Sequence, residues 1–287
     1  MSNRAETIDL HIHTTVSDGT DSPQKLLKLV RAAGFTVFSV TDHDAITAAG
    51  IIRAMCAPED PVFIPGIEFS CKDTFGKYHI LGYGFDPDAP AILNVLLRGQ
   101  SLRQKKTQAR LELLQEEFGY SFPEEEIRKL LSMKNPGKPH IANLMVGLGY
   151  AESIGEAIDN YIDRVHVRVD NISPQEAIAG ILGSGGIPVL AHPLFGAGSD
   201  RFTDDEMERR LRRLTTCGLQ GVEAFYSGFS AEQTGSMLAL AEKYDLYVTA
   251  GSDYHGKNKK ISLGQTGLDK ASEYPDGLKR FLGVFGI

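Results

Sequence analysis

The sequence predicts an α/β chain, a parallel sheet or barrel interrupted by an all-helical segment. Three observations carry this. Short β-branched runs alternate with helical stretches at both ends of the chain. The middle keeps helical periodicity with no convincing strand. Polar residues of one chemical kind collect at strand ends.

Taken in order, TIDLHIH reads as the first strand. SPQKLLKLVRAAG follows as a helix, with Ser22 as N-cap, Pro23 at the first helical position and Gly34 at its end. FTVFSVTDHD is a second strand, followed by a helix around residues 45–55, and VFIPGIEFS and KYHILGYGF are two more strands. After residue 170 the alternation resumes: SPQEAIAGIL, DDEMERRLRRLTTCG and AEQTGSMLALAEKY read as helices, with GIPVLAHP, GVEAFY and LYVTAGSDYH as strands. Between about 91 and 163, ILNVLLRGQSLRQKKTQARLELLQEEFG reads as one long helix or two. FPEEEIRKLL, KPHIANLMVGLG and SIGEAIDNYI are further helices. The simplest organisation is a strand-bearing domain from 1–90 and 170–287, with residues 91–169 inserted as a helical domain. There is no internal repeat and no low-complexity segment.

The bulk numbers exclude several classes. With 287 residues, 42% hydrophobic and 23% charged, the composition is that of a globular protein with a substantial core. No apolar run reaches membrane-spanning length, and MSNRAETIDL has no apolar signal core, so no membrane association is expected. Cys56, Cys71 and Cys217 are odd in number, widely spaced and without a CxxC pair, which argues against a disulfide scaffold or a thiolate zinc site. A reducing, cytoplasmic setting is expected. The net charge of −7 argues against non-specific binding of long nucleic acid. It does not argue against a small anion, because bound metal ions reverse the local sign.

The chemistry lies at the strand ends. His11 and His13 end the first strand, TDHD places His43 between Asp42 and Asp44, and GIEFS and YHILGYG supply Glu68 and His79. LAHP supplies His192, and GSDYH supplies Asp253 and His255. In parallel α/β folds the carboxyl ends of the strands form the active-site face. Residues two apart on a strand point the same way, so one ion can take both His11 and His13, and likewise Asp253 and His255. A lone histidine at a strand end is more often structural than a ligand. Here six of the eight histidines recur at one topological place with Asp18, Glu68 and Asp253, which argues against nine independent structural roles. Imidazole and carboxylate without thiolate suit Mn²⁺, Fe²⁺ or Zn²⁺, with manganese placed first, and nine ligands suit two or three ions.

This constellation resembles the polymerase and histidinol phosphatase (PHP) family of metal-dependent phosphoesterases. DLHIHTTVSDGT, TDHD, GIEFS, HILGYG, AHP and GSDYHG stand in the family's order and span nearly the whole chain. The resemblance implies a distorted (β/α)₇ barrel with an inserted all-helical cap and a trinuclear centre. One ion would be held by His11, His13, Glu68 and Asp253, a second by His79 and His192 with Glu68 bridging, and a third by Asp18, His43 and His255. GKPHIANLMVGLGYAESIGEAIDNYI looks like the cap of stand-alone members that act on nucleotides, except that Lys138 stands where arginine is more usual. That exchange keeps a positive charge and loses a bidentate fork. On this reading Lys138, His140 and Arg168 contact the substrate. For His140 the plainer alternative is a residue in the first turn of a helix. His166 stands where the family more often has an aromatic residue and is given no ligand role.

The implied reaction is in-line attack of metal-activated hydroxide on a phosphate monoester, with catalytic parts for Asp18, His43, His192 and Asp253. The expected substrate is a small phosphorylated one, a nucleoside monophosphate or a 3′,5′-bisphosphate, and no obligatory protein partner is expected. A 5′-to-3′ exonuclease on short oligonucleotides is a second enzyme reading. Histidinol phosphatase ranks lower because that branch lacks the KPHIA cap. A metal-bound accessory module is the non-enzyme alternative, and a complete ligand set counts against it.

Overall fold

The computed structural model describes residues 7–195, 202–268 and 273–287. The opening MSNRAE, read above as lacking a signal core, lies outside them. The chain divides into two compact units, Met1–Leu96 with Ile172–Ile287 and Leu97–Asn171.

The first unit holds seven strands in one sheet whose spatial order is the chain order: β1 (Ile8–Asp9), β2 (Val37–Val40), β3 (Val62–Asp73), β4 (Gly76–Tyr83), β5 (Ile187–Leu190), β6 (Gly221–Tyr226) and β7 (Tyr247–Gly251). The first strand is shorter than TIDLHIH suggested, because past Asp9 the backbone bonds irregularly to the far end of the sheet. Leu10 N donates to Ala250 O at 2.8 Å, Asp253 N to His11 O at 2.8 Å and His13 N to Tyr254 O at 2.9 Å. These bonds join the first strand to the last and close the sheet into a barrel.

Pairing is not wholly parallel, as the alternation had suggested. β4 runs antiparallel to both β3 and β5, while the other pairs are parallel. The cause is local. Asp73 pairs with Gly76, so only Thr74 and Phe75 connect β3 to β4, too few residues for a crossover. Gly76 takes φ 131°, and Arg210 donates to Phe75 O at 2.8 Å and Lys77 O at 2.7 Å, pinning the hairpin tip.

Four of the described helices of this unit start on side-chain caps. α1 (Pro23–Ala33) is capped by Ser22 and ends on left-handed Gly34; α2 (Thr47–Met55) follows β2. α3 (Pro90–Phe118) is one continuous helix. The second unit contains most of α3 together with α4 (Glu124–Ser132), α5 (Lys138–Gly147) and α6 (Ile154–Glu156), which runs on into a π-helical stretch, Ala157–Ile162. Its core includes Leu111, Leu114, Phe122, Ile141, Met145 and Ile162. α7 (Pro174–Gly183), α8 (Asp204–Thr216) and α9 (Ala231–Lys243) each begin with a reciprocal capping box: Ser173 with Glu176, Thr203 with Glu206 and Ser230 with Gln233. α10 (Asp276–Val284) completes the first unit. Among the described residues no helix is long and apolar enough to cross a membrane.

Candidate metal centre

Three parallel strands end in the same backbone device. Just past β2, β5 and β7, Asp44 (φ 46°), His192 (φ 27°) and Asp253 (φ 58°) adopt left-handed conformations that disfavour residues with a Cβ. Such strain collects where a chain must turn a side chain inward, and each of these residues is a candidate ligand or adjoins one. Glu68 and His79 arrive differently. They lie inside β3 and β4 rather than at strand ends, as the sequence reading had placed them. β3 overruns its partner, however: its last pair with β2 is Val40 with Pro65, three residues before Glu68. His79 accepts from Ala191 N at 3.0 Å, one residue past the end of β5. Both therefore stand level with the carboxyl ends of the parallel strands.

All nine candidate ligands come together there. Around Glu68 Oε2 stand His11 Nε2 at 3.3 Å, His13 Nε2 at 3.1 Å and His43 Nδ1 at 3.1 Å. Asp253 Oδ1 lies 3.6 and 3.4 Å from the same His11 and His13 nitrogens, which are 3.1 Å apart. Around Glu68 Oε1 stand His79 Nδ1 at 2.7 Å and His192 Nε2 at 3.3 Å, themselves 3.1 Å apart. On the other side, Asp18 faces His255 Nε2 at 3.3 Å, His13 Nδ1 at 3.6 Å and His43 Nε2 at 3.9 Å. Glu68 thus offers one oxygen to each of two nitrogen clusters, while Asp18 serves a third.

The residues fit divalent ions. Donors about 2.0–2.2 Å from one ion stand roughly 3–3.6 Å from one another, and most of these separations are of that size. Glu68 Oε2 is buried and forms no hydrogen bond of good geometry. The partition is less tidy than the resemblance implied. The ligand atoms group as His11, His13 and Asp253; as His43, Glu68 and His79; and as His13, Asp18, His43 and His255, so His13 and His43 each serve two groups.

Electrostatics follow from packing so many charges out of water. Burial alone would raise Glu68, but the imidazoles of His79, His43 and His11 hold it well below the usual carboxylate range. Asp18 is held low, against its burial, by His255 and His43, and Asp253, against its burial, by Lys259 and His11. In return, His11 is pushed well up, despite burial, by Glu223, Glu68 and Asp253. His13, also against burial, is raised to about 9 by Asp253 and Glu68. Protons on these imidazoles stand in for the positive charge that metal ions carry. Burial pushes His79 and His255 down, toward the neutral form a metal takes.

Several supporting groups carry no motif. Glu223, fully buried on β6, accepts from His11 Nδ1 at 2.9 Å and from His192 N at 2.7 Å. It fixes the tautomer that turns the His11 Nε2 lone pair inward. A bulge between Glu223 and Phe225 re-aims the side chain. A Cβ on Gly251 would come within 2.1 Å of Glu223 Oε1 and 2.3 Å of His11 Cβ, so only glycine leaves room there. His255 Nδ1 donates to Asp253 O at 2.9 Å, turning its Nε2 to Asp18. Asp42 accepts from Thr14 N, Thr14 Oγ1 and Ser17 Oγ at 2.6–2.7 Å, shaping the loop that carries Asp18. Tyr226 and Lys259 both donate to Asp253 Oδ2, at 3.0 and 2.5 Å. One signal in the sequence marks Glu223: a lone carboxylate inside the apolar run GVEAFY must find partners if buried.

The three residues read as substrate contacts lie in the second unit. Lys138 pairs with Asp163. His140 sits in the first turn of α5, where its Nδ1 accepts from Gly137 N at 3.1 Å. Arg168 is exposed.

Comparison with known proteins gives the class. No family model matches the chain. The chain is 28% identical over 263 residues to a 5′-3′ exoribonuclease of Haemophilus influenzae, covering 90% of this chain and 93% of that protein. It is 28% identical over 267 residues to a phosphoribosyl 1,2-cyclic phosphate 1,2-diphosphodiesterase of Eggerthella lenta (88% and 95% covered). It is 26% identical over 254 residues to a 3′,5′-nucleoside bisphosphate phosphatase of Chromobacterium violaceum (86% and 87%). A solved structure from Bifidobacterium adolescentis, named as a metal-dependent phosphoesterase, superposes with a TM-score of 0.83 at 26% identity over 97% of this chain and 96% of that one. The chain is a metal-dependent phosphoesterase, in keeping with its resemblance to the PHP family. In such a phosphoesterase the ligand constellation lies where the reaction needs it, at the carboxyl-end mouth of an α/β barrel.

Proposed function

We propose that this phosphoesterase removes phosphate from a nucleotide, a nucleoside monophosphate or a 3′,5′-bisphosphate, using a manganese centre of two or three ions. The observation that carries this reading is Glu68, whose two oxygens face two separate nitrogen clusters, with a third donor group around Asp18. His11, His13, Glu68 and Asp253 would hold one ion, His79, His192 and Glu68 a second, and Asp18, His43 and His255 a third. When bound, the ions supply a water nucleophile active near neutral pH and positive charge for the phosphoryl oxygens. The chain's own residues set the geometry. Glu223 orients His11 and anchors the His192 backbone, and the Asp18 and Asp253 loops hold opposite sides of the centre. Asp18, His43, His192 and Asp253 are proposed to assist departure of the leaving oxygen. Lys138, His140 and Arg168 are proposed to recognise the rest of the substrate. Cys56, Cys71 and Cys217 form no disulfide among the described residues, which suits a reducing, cytoplasmic compartment.

The relatives' names favour a second reading, 5′-to-3′ hydrolysis of short oligonucleotides, which uses the same attack at phosphorus. A phosphate-release and chain-shortening screen on metal-analysed protein separates the two. Its substrates are adenosine 3′,5′-bisphosphate, adenosine monophosphate, histidinol phosphate and a short 5′-phosphorylated RNA. Turnover of the mononucleotides ahead of the RNA supports the first reading, and the reverse order the second. No turnover of any, with metal bound, overturns both.

A further inference from the structure

We propose that Lys259 is a phosphate-contacting residue, its ammonium taking a non-bridging oxygen of the substrate's phosphoryl group beside Asp253. The inference rests on the phosphoesterase reading of the same centre and adds a cation from the first unit itself. Asp253 divides its oxygens: Oδ1 faces His11 and His13, while Oδ2 accepts from Lys259 Nζ and the Tyr226 hydroxyl. Tyr226 alone would satisfy Oδ2, so holding Asp253 in place does not by itself require a lysine. The Lys259 side chain is 37% exposed where that of Asp253 is 6% exposed, so the ammonium stands at the boundary between the buried donors and the solvent that delivers substrate.

The position is rigid. Lys259 follows a short 3₁₀ turn, Gly256–Asn258, tied to the loop that carries Asp18. Lys257 N donates to Thr20 Oγ1 at 2.8 Å and Asn258 Nδ2 donates to Asp18 O at 2.7 Å. Gly256 takes φ 65° with Thr20 Oγ1 2.1 Å from where a Cβ would be, so the turn and the Asp18 loop are locked together. An ammonium has three donors, and Asp253 Oδ2 occupies one. Once divalent ions occupy the donors of Asp253 and Glu68, a nearby lysine is repelled unless an anion stands between them. A phosphoryl group is such an anion, and charge-assisted bonds to its oxygens are strong. Lys257 and Lys260, by contrast, are exposed and face solvent.

The test measures binding of inorganic phosphate to metal-loaded protein by calorimetry, with metal content by elemental analysis, for the parent, Lys259→Met and Lys259→Arg. Lys259→Met should weaken phosphate binding about tenfold and raise KM more than it lowers kcat, with metal content unchanged, and Lys259→Arg should retain most of the affinity. Equal phosphate affinity in parent and Lys259→Met overturns the proposal. So does loss of metal in Lys259→Met, which would make the lysine a holder of Asp253 only. Failure of the phosphoesterase reading is distinguishable: it appears as absence of ester turnover in the parent protein, whatever its affinity for phosphate.

Discussion

Glu223 offers the sharpest test of how the centre is held. Replacing it with glutamine keeps shape and volume but leaves one oxygen where there were two. In the parent, both oxygens accept, one from His11 Nδ1 at 2.9 Å and the other from the His192 backbone at 2.7 Å. A glutamine must turn its NH₂ toward one of those donors. If it faces His11, the ring is released to flip its tautomer; if it faces His192, a backbone residue at φ 27° loses its anchor. Either way one hydrogen bond to a charged acceptor is lost in a site with no exposure, at a cost of about 1.5–3 kcal/mol. In affinity that is roughly 10- to 150-fold, overlapping the 10- to 100-fold typical of residues that orient metal ligands. Competition with a chromogenic chelator measures the affinity, and long-range ¹H–¹⁵N spectra of the imidazoles of the zinc-loaded protein read the His11 tautomer. Metal affinity within twofold of the parent, with the His11 tautomer unchanged, would refute the assigned role.

Four further outcomes follow from the same geometry. Gly251→Ala should displace Glu223 or His11, destabilise the fold by about 1–3 kcal/mol in denaturant titration, and show less than additive loss of metal affinity with Glu223→Gln; additive losses would separate the two residues. Stripping the ions with a chelator should lower the melting temperature by roughly ten degrees for a protein loaded at about a thousandfold over Kd, and an unchanged melting point would mean the ions do not bind the folded state preferentially. The Arg31 guanidinium, joined by Ala57 N, holds the Asp60 carboxyl down at about 2, so this contact's contribution is present above pH 4 and fades as pH falls toward 2. The stability gap between the parent and Asp60→Asn should shrink over that window, and a gap constant from pH 5 to pH 2 would show the contact is not electrostatic. His140→Ala should raise KM while leaving metal content intact, and loss of metal would move His140 out of substrate recognition.

The parts of the fold that were legible in sequence share a cause. Alternating strand and helix patterns, the Ser22-Pro23 start and the Gly34 stop are set by local chemistry and could be read locally. The reversed β4 was less visible, because its periodicity does not record direction; only the two-residue link between Asp73 and Gly76 does. The same contrast divides the site. His11, His13, His43, His79, His192 and His255 stand out because imidazoles are scarce in this chain and recur at one topological place. Glu223 is a single glutamate among many, and its partner His11 lies 212 residues away in sequence. Lys259 sits in KNKK, a run that reads as solvated surface, and only the turn after His255 brings it to Asp253.

Closing β7 onto β1 has a consequence for the order of events during synthesis. Six of the nine donors, His11 through His79, are made within the first 79 residues, yet the last two, Asp253 and His255, come near the end of a 287-residue chain. The backbone bonds that fix His11 and His13 are made to Ala250, Asp253 and Tyr254, so the earliest donors cannot settle until the latest segment has left the ribosome. A chain halted between residues 193 and 246 carries five of the six donor imidazoles but neither the closing strand nor Asp253. Full ion loading therefore reports that translation has run through residue 255.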